Sequence, residues 1–113
     1  MNQSTCLFCK IVAGQIPSKK VFEDERLLAF EDINPQAPVH ILIVPKKHLV
    51  DLFDGSKDPA LMGEIIARSA AIAKEKGLTD FRLVTNTGRE GGQAVFHLHF
   101  HLLGGRQMRW PPG

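Results

Sequence analysis

All five histidines of this chain fall in two short stretches. His97, His99 and His101 alternate with Leu98, Phe100 and Leu102, while His40 lies near the start of the β-branched run Val39–Val44 and His48 just beyond its end. On a strand the side-chain period is two, so the three imidazoles share one face and the three apolar residues the other. A lone histidine is most often an ordinary surface or hydrogen-bonded core residue, but three in strict alternation form a candidate site. Stacked imidazoles repel one another when all are charged. Such a row is therefore neutral and hydrogen-bonded in sequence, bound to a metal, or turned towards an anion.

The preceding loop bears on that choice. Gly88, Gly91 and Gly92 allow backbone N–H groups to approach an anion closely, and Gln93 and Asn86 add side-chain amides. Alone, these glycines read as turn geometry; beside the histidines they suit a phosphate or phosphate ester. The second feature is Cys6-x-x-Cys9. On a short helix both sulfurs lie on one face at i, i+3, which fits a zinc knuckle, a redox pair, or two inert thiols. Redox use would usually follow a βαβ pattern, which is missing here.

The elements that must hold these groups follow from pattern. Residues 6–13 read as a short helix with Thr5 as N-cap. Val21-Phe22 and Leu27–Phe30 read as a hairpin, and Val39–Val44 as a central strand stopped by Pro45. Residues 59–76 hold the long helix, with apolar residues at three- and four-residue spacing, Asp58 as cap and Pro59 at the first position. Phe81–Asn86 and Val95–Leu103 read as two further strands. This order predicts an α+β fold: a largely antiparallel sheet with one long and one short helix on one face.

The 113 residues, with no linker or repeat, are expected to form a single domain, 1–113, ending in a Gly- and Pro-rich tail over 104–113. Fourteen basic and twelve acidic residues leave a net charge of +2, with no long basic block, which argues against nucleic acid as a partner. The apolar runs are too short to span a membrane, and no signal peptide is evident. Two cysteines make no disulfide framework, so a reducing, cytoplasmic location is expected.

The segment Phe96-His97-Leu98-His99-Phe100-His101-Leu102-Leu103 resembles the histidine-triad signature, and from about Cys6 to Gly113 the chain resembles the Hint branch of that superfamily. The similarity includes Phe30–Pro38, Val44–His48, Gly91–Gln93 and the ending Trp110-Pro111-Pro112-Gly113. The resemblance implies a homodimeric hydrolase cleaving purine nucleoside 5′-phosphoramidates, with no metal needed for catalysis. His99 matches the family's nucleophile and His101 its phosphate contact. His97 and His40 match supporting members of the same hydrogen-bonded network. Asp32 matches the residue that holds the ribose hydroxyls, and Ile33 lies against the base. Asn86, Gly92, Gln93 and Ala94 fall at phosphate-loop positions, and Leu7, Phe8, Ile11 and Phe30 at the apolar walls of the base pocket. Two positions depart from relatives: Ala94 stands where some have serine, and Glu31 where some have histidine.

Some bacterial-type relatives bind structural zinc through positions that match Cys6, Cys9, His48 and His97. The resemblance thus implies structural zinc, against the alternative of two half-buried free thiols. Two other functions compete with the phosphoramidase: a non-enzymatic nucleotide-binding regulatory protein using the same pocket, and a metal-dependent hydrolase using the three triad histidines. The last is disfavoured because ligands at 97 and 101 lie roughly 13 Å apart along an extended strand.

Overall fold

The computed structural model describes residues 5–113. The N-terminal helix α1 (Leu7–Val12) is capped by Cys6, whose Sγ accepts the Cys9 N–H at 3.3 Å. The cap falls one residue later than Thr5, because a sulfur can take the hydrogen bond that capping requires at the third helical position. A hairpin follows, β1 (Lys20–Glu23) and β2 (Leu27–Glu31). Its turn is held by Asp24 Oδ1, which accepts the N–H groups of Arg26 and Leu27, each at 2.8 Å. Next come β3 (Val39–Pro45), the four-residue α2 (Leu52–Gly55), α3 (Pro59–Glu75), β4 (Phe81–Val84) and β5 (Phe100–Gly104). As expected, Asp58 caps α3, accepting from Leu61 N at 3.1 Å, and Pro59 opens it.

The five strands form one antiparallel sheet in the order β1-β2-β3-β5-β4. Strand β3 is central and buried on both faces. On one face Leu27, Ala29, Ile41, Ile43, Phe100 and Leu102 pack under Leu61, Ile65 and Ile72 of α3. On the other, Leu28, Phe30, Leu42 and Val44 pack against Phe8 and Ile11 of α1. The helices therefore lie on both faces and not on one. The short helix covers the face on which the histidines stand.

Two strands are shorter than their sequence suggests. Strand β4 ends at Val84, and β5 begins at Phe100, so His97 and His99 precede it. The register gives the reason for β5. Ile43 lies opposite Phe100, so Pro45 falls opposite Leu98, and proline has no N–H for a ladder. The Leu98 N–H instead donates to Leu49 O at 2.7 Å. Alternation of faces nevertheless persists: Leu98 is fully buried in the α3-side core, while the His97 ring meets Cys6 on the α1 side. Among the described residues no helix is long and apolar enough to cross a membrane.

Candidate active site and metal centre

Main-chain groups of known polarity decide where each imidazole carries its proton. Gln36 donates its N–H to His40 Nδ1 at 3.0 Å, so that nitrogen holds the lone pair and Nε2 holds the proton. His40 Nε2–H donates to His101 Nδ1 at 2.9 Å, which leaves His101 with its own proton on Nε2. His99 donates Nδ1–H to the His97 carbonyl at 2.7 Å, leaving a lone pair on Nε2. His97 donates Nε2–H to the Pro45 carbonyl at 2.8 Å, leaving a lone pair on Nδ1. The row thus places a bare Nε2, on His99, beside an Nε2–H, on His101.

Burial keeps these rings neutral. It pushes His97 and His101 down to about 4, and lowers His99 and His40 as well. Asp32, with Oδ2 at 3.4 Å from His40 Nε2, pulls His40, His99 and His101 the other way without overcoming burial. The Phe8 ring stands edge-on to His99, centroids 4.9 Å apart, and fixes its plane.

His99 and His101 line the floor of a cavity of about 390 Å³. Leu7, Phe8, Ile11, Phe30 and Leu42 make its apolar wall; Asp32, Ile33, Asn86, Gly92 and Ala94 also line it. Ile33 is 99% exposed and forms rim, not wall. Asp32 is steadied by Asn34, whose N–H donates to Oδ1 at 2.8 Å.

Gly92 borders the cavity, but two of the loop's N–H groups and its glutamine side chain are already paired. The Gly92 and Gln93 N–H groups donate to Arg89 O and Gly88 O, so they close turns and do not face the cavity. The Gln93 side chain is buried and fully committed: Nε2 donates to Val50 O at 2.7 Å and to Val95 O at 3.1 Å, and Oε1 accepts Gly88 N–H at 2.9 Å. Gln93 braces the loop from behind. Glycine is required at 91, where a Cβ would lie 2.2 Å from Thr87 O.

Cys6, Cys9, His48 and His97 each offer one ligand atom, all within 4.8 Å of one another. Cys9 Sγ lies 3.1 Å from His48 Nδ1 and 3.5 Å from His97 Nδ1, and Cys6 Sγ lies 3.3 Å from His97 Nδ1. Tetrahedral zinc with its usual bond lengths places sulfur and nitrogen donors about 3.6 Å apart, close to these values. The His97 tautomer agrees, since its Nδ1 lone pair faces the cluster while Pro45 O holds the other nitrogen, the usual outer-shell arrangement of a metal-bound histidine. Burial and the Cys6 sulfur push the Cys9 thiol up to about 11, and a divalent cation is what converts such thiols to thiolate ligands. The four residues fit zinc.

Asp32, His40 and His101 make a second group of close donors. A metal there would need a lone pair at His40 Nε2, yet the Gln36 N–H already claims the lone pair at Nδ1. His40 and His101 are hydrogen-bonded to each other, with Asp32 Oδ2 beside them at 3.4 Å from His40 Nε2.

The HIT domain family matches residues 13–108, which include the whole triad with His40 and His48. The chain belongs to the HIT domain family. The match begins after α1, so Cys6 and Cys9 lie outside it. A HIT family hydrolase from Legionella pneumophila is 53% identical, with a TM-score of 0.93 over 96% of this chain and 100% of that one. The 14 kDa zinc-binding protein of Zea mays is 47% identical over 100% of this chain and 91% of its own length. A histidine triad nucleotide-binding protein from Candida albicans is 32% identical, with a TM-score of 0.83 over 95% and 83% of the two chains.

Three groups in this HIT domain act through the main chain and escape a reading of side-chain types. These are Gln36 N–H, Pro45 C=O and His97 C=O. Only the Pro45 carbonyl has a sequence signal, since a strand-ending proline marks a place where ladder pairing stops.

Proposed function

We propose that this HIT domain is a homodimeric purine nucleoside phosphoramidase of the Hint branch. It is a hydrolase that cleaves the P–N bond of AMP-type phosphoramidates through a nucleotidyl-His99 intermediate. The carrying observation is the tautomer pair: a bare Nε2 on His99 beside an Nε2–H on His101, both lining one cavity. Asp32 takes the ribose hydroxyls. Leu7, Phe8, Ile11, Phe30 and Ile33 take the base, and Asn86, Gly92 and Ala94 flank the phosphate. The name of the Candida relative supports a nucleotide as ligand.

In the first step His99 Nε2 attacks phosphorus. A P–N bond to imidazole forms as the P–N bond to the amine breaks, and the amine leaves with a proton taken from solvent, which the water of the second step returns. His97 O stabilises the imidazolium that develops on His99, and His101 Nε2–H stabilises charge on a phosphoryl oxygen. Water then cleaves the nucleotidyl-imidazole, giving the nucleoside monophosphate and restoring neutral His99.

Cys6, Cys9, His48 and His97 would hold zinc. With four protein ligands the ion supplies cross-linking and no open coordination position, so its role is structural. The name of the maize relative supports this assignment. The cysteines remain reduced ligands in a cytoplasmic setting.

The test is mass spectrometry of protein quenched during turnover of an adenosine phosphoramidate. Adenylylated His99 is the expected species, with a burst of one amine per subunit. Turnover without any covalent adduct or burst would overturn the mechanism.

A further inference from the structure

The relay that sets the His101 proton reaches back to the C-terminal tail of the same chain. Gln36 is held at both ends of its main chain. Its N–H donates to His40 Nδ1 at 3.0 Å, and its C=O accepts Arg106 Nε–H at 2.9 Å. Arg106 is itself oriented by a second bond, Nη1 to Gln107 O at 3.1 Å. The tail arrives at this place because β5 ends at Gly104, opposite Val39, and the chain turns at Gly105. Gly105 has φ +92°, and a Cβ there would lie 2.9 Å from Pro38 Cβ. Only glycine both adopts that backbone and clears the proline.

Pro35 and Pro38 flank Gln36-Ala37 and restrict the backbone on either side. The orientation of residue 36 is then set by the two hydrogen bonds on its main chain. If Gln36 turned away, His40 Nδ1 would lose its donor. His40 could then carry its proton on Nδ1, and the Nε2–H that fixes His101 would be gone.

We propose that Arg106 is a positioning residue for the His40–His101 pair. It clamps the Gln36 carbonyl and thereby holds the His101 proton on Nε2, where a phosphoryl oxygen needs it. The proposal rests on the phosphoramidase reading for its catalytic consequence. The proton positions themselves do not depend on that reading.

The experiment uses the full chain with histidine side chains labelled in nitrogen-15, so that the tautomers of His40 and His101 are read directly. In Arg106→Gln both rings should leave their single tautomers. kcat on an adenosine phosphoramidate should fall about fivefold while KM stays within about twofold, the scale of one lost hydrogen bond. Arg106→Lys should recover part of the loss. Gln36→Pro deletes the N–H donor and should reproduce the change in ring spectra. Wild-type ring spectra and wild-type kcat in Arg106→Gln would overturn the clamp. A wild-type protein without phosphoramidase activity, whose ring spectra still respond to Arg106→Gln, would overturn the function and leave the clamp standing.

Discussion

His97 and His99 are joined by a 2.7 Å hydrogen bond in which the carbonyl of the first accepts Nδ1–H of the second. The ring of that same His97 is shared between the cysteine cluster and the Pro45 carbonyl. One fully buried residue therefore connects the Cys6–Cys9–His48 cluster to the proposed nucleophile.

Replacing His99 with alanine should remove the nucleophile and leave the cavity walls in place. Turnover should fall by roughly a thousandfold or more, with nucleotide affinity kept within about tenfold. Steady-state assays with calorimetric titration of AMP check this. A kcat near wild type sinks the mechanism.

Elemental analysis of protein purified without chelator should give about one zinc per chain, lost in a Cys6→Ser/Cys9→Ser double mutant. Removing a cross-link between α1, the segment after β3 and the triad should lower Tm by roughly 10 °C. Sub-stoichiometric zinc together with an unchanged Tm excludes the site.

The pH dependence of stability follows from the buried rings. His101 titrates near 6.5 when unfolded and is pushed down to about 4 when folded, so the unfolded chain binds more protons between those values. Its contribution is complete above about pH 6.5 and is lost as pH falls towards 4. His40 is shifted in the same direction. Urea midpoints at pH 7.5 and 4.5 should differ by less in His101→Asn than in wild type; an equal or larger difference contradicts the assignment.

Gln93 offers a test of the loop brace. Gln93→Ala removes three hydrogen bonds from a buried site and strands two carbonyls and one N–H. The expected cost is about 2 kcal/mol, read as a lower urea midpoint at unchanged m-value. No loss of stability would mean that the amide does not hold the loop.

A homodimer is expected from the apolar surface left uncovered. Trp110 is 82% exposed and Ile66 55%, and β4 is an unpaired edge. Sedimentation should give a dimer at micromolar concentration, and a clean monomer contradicts it. Truncation after Gly105 should change amine selectivity more than far-ultraviolet circular dichroism. The same truncation removes Arg106, so its kcat is to be compared with Arg106→Gln.

Alternation made the histidine row and its two faces readable even though the strand starts only at Phe100. Leu98 and Phe100 go to the α3-side core while the His97 and His99 rings meet Cys6 and Phe8 on the α1 side, so the period of two holds ahead of the strand. The caps of α3 and the boundaries of β3 were equally legible, since they rest on local side chains. Residue type does not say whether an N–H of the glycine loop closes a turn, as those of Gly92 and Gln93 do, or faces a ligand. The four-residue α2 gave too short a pattern to register, and the second helix layer was missed because only packing decides which face α1 covers. The proton positions were out of reach: they depend on which main-chain carbonyl or N–H the fold brings to each ring.

The cap of α1 has a consequence for motion. Six residues cannot sustain a helix in water without help, and the sulfur that caps α1 belongs to the cysteine pair proposed as metal ligands. The same helix supplies Phe8 and Ile11 to the cavity wall. Capping, metal retention and closure of that wall form one cooperative unit, expected to open together ahead of the sheet. Hydrogen exchange at the Cys9 and Lys10 amides would report the state of all three.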